Sequence, residues 1–451
     1  MRWPALVLFA WGLGCGNAGA PAPDGGPSAQ PPPGPITDSG VEAPHAPPLD
    51  GPLDTVVEVP RAGPYGTRSF PVPAATNWVN SGLYLRAGEA AEIQATGTWK
   101  VEEVQVGPGG SSVRGQQRGC ARGSLAARSG LGFEAEVTCV GEGTTFVALR
   151  DGILFLGMID STDLGEAYGD RLVLSGSLQV TVTSSGDTVP SVRRDELPGF
   201  PYAQVRSGMV ELLGRHVIVT VPAAQVQADL ASAQSSVDTL DAIYELEAAL
   251  RGMAPFSGQR IRFYPDEGVR NVGYMVAGNP VRCVPELMTG GPDQRILRAS
   301  VPTTDIWGFA HELGHVFSFA NGTWVFQYVN LESWPNIFTL FVLQELERTE
   351  HQPNVSTYCD GRDAYLDGGT YSQLKADPFL QLCFQMSFKE KYGWGFWSSF
   401  WAGMNTQKNE DVGLDGLFVD KSVWSYVRDR FSLAAGEDVT PVFLQWRVPV
   451  R

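Results

Sequence analysis

The stretch Trp307-Gly308-Phe309-Ala310-His311-Glu312-Leu313-Gly314-His315 decides how the rest of the chain is read. Its core has the form H-E-x-x-H. On an α-helix positions i and i+4 share a face, so His311 and His315 can present both imidazoles to one metal ion. Glu312 lies beside them, within reach of a water on that metal. The chain has only five histidines, and two of them fall at this spacing around a glutamate, which makes a chance pair of surface histidines a poor explanation. Upstream, Thr303, Thr304 and Asp305 follow Pro302 and offer N-cap oxygens, so the metal helix is expected over Ile306 to Phe319.

A catalytic zinc site commonly takes three protein ligands and keeps one position for water. The run Asn330-Leu331-Glu332-Ser333-Trp334-Pro335-Asn336 supplies the third. Pro335 fits the first turn of a helix, which places Glu332 at or near the helix N-terminus. The residues Ile337 to Leu343 are apolar nearly all round, so that helix is buried, and a carboxylate beside it needs a charged partner. Asn336, four residues on, shares the Glu332 face and can hydrogen-bond a ligand histidine. The competing carboxylates Glu345, Glu347 and Glu350 sit toward the far, charged end and read as a solvated face. On zinc, such a site activates water, with Glu312 as general base and then proton donor to the leaving amine. Tyr358, Tyr371 and His351 are the candidates for a second donor to the oxyanion.

Length and composition frame this site. At 451 residues and 43% apolar content the chain holds two or three domains with cores of their own. A net charge of −16 argues against nucleic acid or an anionic membrane surface as partner. Residues 1–15 read as a secretory signal of lipoprotein type, with Arg2, a short apolar run and Gly14 before Cys15, the residue expected to carry lipid. Residues 16–55 are rich in Pro and Gly and lack Lys and Arg, the composition of an extended, disordered tether. The expected place is therefore outside the cell, as an outer-membrane or cell-surface lipoprotein or else a secreted protein. Export permits disulfides: Cys120 and Cys139 fall in one domain and can pair, and at least one of Cys283, Cys359 and Cys383 stays free.

Residues 56–185 carry short alternating runs split by Gly-rich turns, among them Leu83–Arg86, Ala91–Ala95, Thr145–Leu149, Ile153–Leu156 and Leu178–Val182, which predicts a β-sandwich. A Ser-, Pro- and charge-rich passage between Thr183 and Phe200 marks the boundary to a second domain over 195–451. There His216–Val221, Arg260–Tyr264 and Gly273–Val276 read as strands, and Ala223 to Gly252 as one helix. Fold class is thus a β-sandwich followed by an α+β metallopeptidase domain, mostly helical after the active-site helix.

Two family resemblances attach to these residues. Leu83-Tyr-Leu-Arg-Ala-Gly-Glu, Ala95-Thr-Gly-Thr-Trp99, Gly107-Pro-Gly-Gly, Gly123-Ser-Leu-Ala-Ala-Arg128 and Gly176-Ser-Leu-Gln-Val resemble the galactose-binding jelly rolls of the PA-I galactophilic lectin type. That resemblance implies a loop with calcium and sugar ligands, which falls here on Asp160, Asp163 and Asp170, although the loop is longer and lacks the adjacent asparagines. A purely structural sandwich with solvated loop carboxylates is the other reading. Trp307-Gly308-Phe309 before H-E-x-x-H, then Glu332-x-x-x-Asn336, looks like the enhancin-type zinc metallopeptidases, many of which act on mucin-like glycoproteins. Gly273-Tyr274, Pro378 to Met386, Tyr392 to Trp397 and Ala435 to Trp446 are similar too, while Val316 stands where that family often has a polar residue. The resemblance implies a Glu-ligand (gluzincin) zinc site of His311, His315 and Glu332 with Glu312 catalytic, and makes Gly273, Tyr274 and Trp307 candidates for substrate contact. It further implies a surface endopeptidase acting on O-glycosylated proteins; the alternatives are a non-enzymatic glycan-binding lipoprotein and a zinc peptidase indifferent to glycans. The aromatics Trp394, Phe396, Trp397, Phe400 and Trp401 suit either a sugar platform or a core.

Overall fold

The computed structural model describes residues 63–159, 174–289, 295–320, 327–405 and 420–450. The signal segment with Cys15, the tether and the loop bearing Asp160, Asp163 and Asp170 lie outside these residues. Within them the chain builds a sheet-rich N-terminal region and a largely helical C-terminal one.

Ten antiparallel strands make the first region. Its organising strand, Leu174–Thr188, pairs with Ala90–Val101 on one side and Pro64–Pro73 on the other, and its end reaches Val79–Leu85. Leu178, Val180 and Val182 alternate inward as the period of a half-buried strand requires. They pack with Leu83, Ile93, Trp99, Leu125 and Leu156 into one core. The strand continues three residues past the expected limit of 185, because its last residues still find partners in Val79–Leu85. The run Gly152–Met158 is buried on both faces. Leu154 and Leu156 enter the first core, whereas Ile153 and Phe155 face the second region and meet Tyr264. A strand covered on both sides reads as a continuous apolar run for this reason. A disulfide joins Cys120 to Cys139.

The second region opens with a six-stranded mixed sheet in the order 191–193, 209–213, 217–222, 261–265, 281–283, 275–276. Two of its strands, Ser191–Arg193 and Val281–Cys283, are too short to show a period in sequence, and Met209–Leu213 is buried at four successive positions, so it shows no alternation. The long helix expected from Ala223 to Gly252 is two: Ala223–Ala228, and α1 at Leu230–Arg251. The break is local chemistry, since Asp229 leaves helical geometry and its carboxylate accepts the Ser232 N–H at 3.0 Å. Gly252, at φ 73°, ends α1 in the left-handed conformation that glycine adopts without cost.

The metal helix, α2, spans Trp307–Ser318, with the Asp305 carboxylate accepting the Trp307 N–H at 3.0 Å. Phe309 packs on Phe263 of the sheet and Phe317 on Tyr244 of α1, which turns His311 and Glu312 toward the open side. At the far end of α2 the buried Arg251 guanidinium donates to the Phe317 and Ala320 carbonyls, at 3.0 and 3.1 Å, and so offsets the negative end of the helix. The next long helix, α3 (Trp334–Glu345), carries Pro335 in its first turn and is buried from Trp334 through Leu343. Further helices follow at Pro378–Tyr392 (α4), Trp394–Asn405 (α5) and Asp420–Ala435 (α6). Phe396, Trp397, Phe400 and Trp401 are buried, and the last three ring Trp334 at 6.0–6.4 Å between centroids. They are core, not a sugar platform. A disulfide ties Cys359 to Cys383 on α4, and Cys283 stays free and buried.

The contact that sets the site is the crossing of α2 and α3. A Cβ at Gly314 would lie 2.6 Å from the Pro335 carbonyl oxygen and 3.0 Å from its Cα, so only glycine permits this approach. Gly314→Ala must therefore push the two helices apart. It is expected to lower the unfolding free energy of the metal-free chain by about 1–3 kcal/mol, the usual cost of overpacking, as read by denaturant titration. Unchanged stability would mean the helices separate freely.

Candidate metal centre

α2 supplies His311 and His315 one turn apart, and the residues entering α3 supply Glu332. The Glu332 Oε2 lies 3.1 Å from His311 Nε2 and 3.4 Å from His315 Nε2. One ligand atom from each residue falls within 4.8 Å of the others, the one such group of three among the described residues. Two imidazoles and a carboxylate converging, with no Lys or Arg paired to Glu332 among the described residues, form a donor set that zinc takes. Glu345, Glu347 and Glu350 are exposed and outside this group.

The surrounding hydrogen bonds fix how these donors point. Asn336 is buried, and its side-chain N–H donates to the Glu332 carbonyl at 2.8 Å. Its Oδ1 is then the atom facing His311 Nδ1 at 2.7 Å, and an oxygen there must accept. His311 consequently carries its proton on Nδ1 and offers Nε2 to a metal. Behind Glu332, the buried Gln381 of α4 donates to the Val329 carbonyl at 3.1 Å and accepts from the Ser333 hydroxyl. Gln385, also on α4, donates to that hydroxyl at 3.3 Å, so a polar network in the core holds the segment bearing the carboxylate. His315 is buried against the edge of His311 and stacks parallel to Phe319.

Electrostatics follow from this crowding. Burial alone would depress the His311 imidazole, but the hydrogen bond and charge of Glu332, with the charge of Glu312, raise it to about 9. Partial burial opposes ionisation of Glu332, yet the two imidazoles hold it well below the usual carboxylate range. Glu312 is pushed up, first by desolvation; the neighbouring imidazoles and the Ala277 N–H, which donates to its carboxylate, act against that.

Ala277 follows the strand Met275–Val276 at the edge of the second sheet. Gly273 and Tyr274 lead into this strand, and Tyr274 is 76% exposed. Trp307 opens α2 and packs toward Phe379 at 6.0 Å. A Cβ at Gly308 would lie 3.1 Å from the Met275 sulfur, so strand and helix run close beside the metal ligands. Of the oxyanion candidates, the Tyr371 hydroxyl already accepts from Trp424 at 2.8 Å. Tyr358 lies in the field of Glu390 and Arg362, and the His351 side chain falls outside the described set. Asp160 and Asp170, the calcium or glycan candidates, also lie outside it, and no described cluster in the first region has three metal-ligating side chains. The Ala277 N–H, the Gly314 contact and the Gln381 network were not foreseen. Only Gly314 left a sequence trace, as the small residue inside H-E-x-x-H.

Comparison with known proteins bears on this geometry. The structure is similar to that of a conserved protein of unknown function from Bacillus anthracis str. Ames, with a TM-score of 0.61, 16% identity, and coverage of 85% of this chain and 76% of that one. It is similar to the ZmpB metallopeptidase from Clostridium perfringens, with a TM-score of 0.54, 14% identity, and coverage of 88% and 78%. It also resembles IMPa from Pseudomonas aeruginosa, solved in complex with an O-glycopeptide, with a TM-score of 0.51, 15% identity, and coverage of 87% and 50%. At such identities these likenesses establish the fold alone. No curated protein matches the chain. The family model for peptidase M60, enhancin and enhancin-like, matches residues 204–447, more than half the chain and every residue of the metal centre. The chain belongs to the peptidase M60 family of enhancin and enhancin-like proteins.

Proposed function

We propose that the chain is a zinc endopeptidase that cleaves O-glycosylated, mucin-type proteins at a cell surface. The convergence of His311, His315 and Glu332 beside the Glu312 carboxylate carries this reading. Zinc held by those three side chains would supply Lewis acidity, acidifying water and polarising the scissile carbonyl. Glu312, raised above its usual range by burial, is suited to take a proton from the attacking water and return it to the leaving amine. The Ala277 N–H keeps that carboxylate oriented. Met275–Val276 is the edge strand of its sheet, with no strand paired to its outer side among the described residues, and an extended peptide pairing there would lie across the metal centre. Exposed Tyr274 then stands where a substrate side chain or sugar passes.

The substrate class rests on different support. The O-glycopeptide bound by the similar Pseudomonas protein favours a glycosylated peptide here. The signal-like residues 1–15 with Cys15, and the proline-rich residues 16–55, favour a surface-tethered enzyme. In this reading the first sheet is a jelly roll lying between tether and peptidase.

Two measurements test the proposal. Purified wild-type chain should hold about one zinc and cleave mucin, whereas Glu312→Gln should keep the zinc and lose about 10²–10⁴-fold in rate. Zinc-free wild-type protein without cleavage would refute it, and equal cleavage of glycosylated and deglycosylated substrate would restrict it to a glycan-indifferent peptidase. Zinc titration of the metal-free chain gives an independent check. With His311 raised to about 9, the imidazole is charged at pH 7 and must lose its proton to ligate. Its stabilisation of the metal-free fold is complete below pH 6.5 and lost as pH rises through about 9. Calorimetry in buffers of different ionisation enthalpy should accordingly show about one proton released per zinc at pH 7 and steadily less toward pH 10. Release that does not vary with pH would contradict this arrangement.

A further inference from the structure

The edge strand is short: among the described residues its pairing is Met275 with Cys283 and Val276 with Arg282, on one side. So brief a ladder cannot fix its own position. Part of its support comes from the first region. Arg282, directly across from Val276, sends its guanidinium into that region, where it donates to the Leu131 carbonyl at 2.7 Å and covers the Phe133 ring at 4.7 Å. The return after Ala277 is held by Asn279: its Oδ1 accepts the Arg262 N–H at 3.0 Å and its amide donates to the Arg260 carbonyl at 2.9 Å. The Asn279 main-chain oxygen accepts the side-chain amide of Asn77, from the loop between the first two strands. Gln259 accepts the Asn77 N–H at 2.9 Å and donates to the Ala75 carbonyl, and Arg262 donates to the Trp78 carbonyl at 3.0 Å. Asp266 accepts the Phe133 N–H at 2.8 Å. Asn77, Gln259, Arg262, Asn279 and Arg282 are all buried.

A module hung on a linker meets its neighbour through a small, wet surface. Here buried amides and guanidinium groups divide their hydrogen bonds between their own region and the partner region, so separating the two leaves the shared donors and acceptors unmatched. We propose that the N-terminal sheet is a positioning element of the peptidase: Asn77 and the Leu131–Phe133 segment act through Asn279 and Arg282. They hold Met275–Val276 and the Ala277 N–H in register with α2. The proposal rests on the peptidase reading above and assigns to the first region a role in peptide binding that requires no sugar or calcium.

The test uses the full chain with Asn77→Ala, and with Asn77→Asp, which keeps the size and removes the donor to Asn279. Each variant should bind zinc at the wild-type stoichiometry and raise KM for peptide cleavage about tenfold, the pattern of lost substrate binding, with a smaller fall in kcat because the Ala277 N–H that orients Glu312 loosens with the strand. Hydrogen exchange should quicken over residues 274–284 while α2 and α3 keep their protection. In the unsubstituted chain, residues 275–283 and 76–83 should exchange at a common rate, as one opening unit, a measurement that needs no variant to fold. Unaltered KM and exchange in the variants, or independent opening of the two segments in the wild type, would overturn the proposal. Absence of cleavage by the wild-type chain would instead count against the peptidase reading, and the exchange result would still decide the positioning role.

Discussion

The approach of α2 to α3 at Gly314 and Pro335 is the constraint from which the site follows. The imidazoles and the carboxylate come from elements separated in sequence, and they share a centre only because no side chain intervenes where the helices cross. Bringing a carboxylate beside two imidazoles in a crowded fold costs desolvation, and the arrangement persists because each charge has a partner. Asn336 links the two elements a second time, bonding a ring from α2 and a carbonyl ahead of α3 with one amide. Tight backbone packing and a single bridging side chain therefore do together what neither does alone.

Around that crossing, buried polar side chains act as fasteners. Arg251 ties the end of α1 to the end of α2 and to the Trp401 carbonyl of α5. Gln381 and Gln385 hold the approach to α3. Arg262 and Arg282 join the two sheets. Such groups are expensive to bury, and their hydrogen bonds form in one geometry, which favours a unique placement of the helices over a loosely packed ensemble. The apolar ring around Trp334 supplies the bulk of the packing that these bonds orient.

The centre was legible in sequence because its chemistry is local. H-E-x-x-H sets two imidazoles and a carboxylate within about one turn, and Pro335 betrays the helix start that turns Glu332 and Asn336 toward them. Strands with clear alternation, such as the one holding Leu178, Val180 and Val182, were equally plain. What escaped depends on partners distant in the chain. Asp229 interrupts an otherwise continuous helical pattern through one side-chain bond. Asn77 and Arg282 carry no motif, and their meaning appears only when the two sheets meet. The run around Trp397 and Trp401 fits core and platform alike in sequence; burial against Trp334 settles it as core.

The central claim is that His311, His315 and Glu332 jointly hold one zinc ion. Diffraction from crystals of the zinc-loaded chain, measured on both sides of the zinc absorption edge, tests it most directly. The account predicts one anomalous peak at about 2.0–2.2 Å from both Nε2 atoms and a Glu332 oxygen, with a fourth position left for water. A peak elsewhere, or one lacking Glu332 among its ligands, would contradict it.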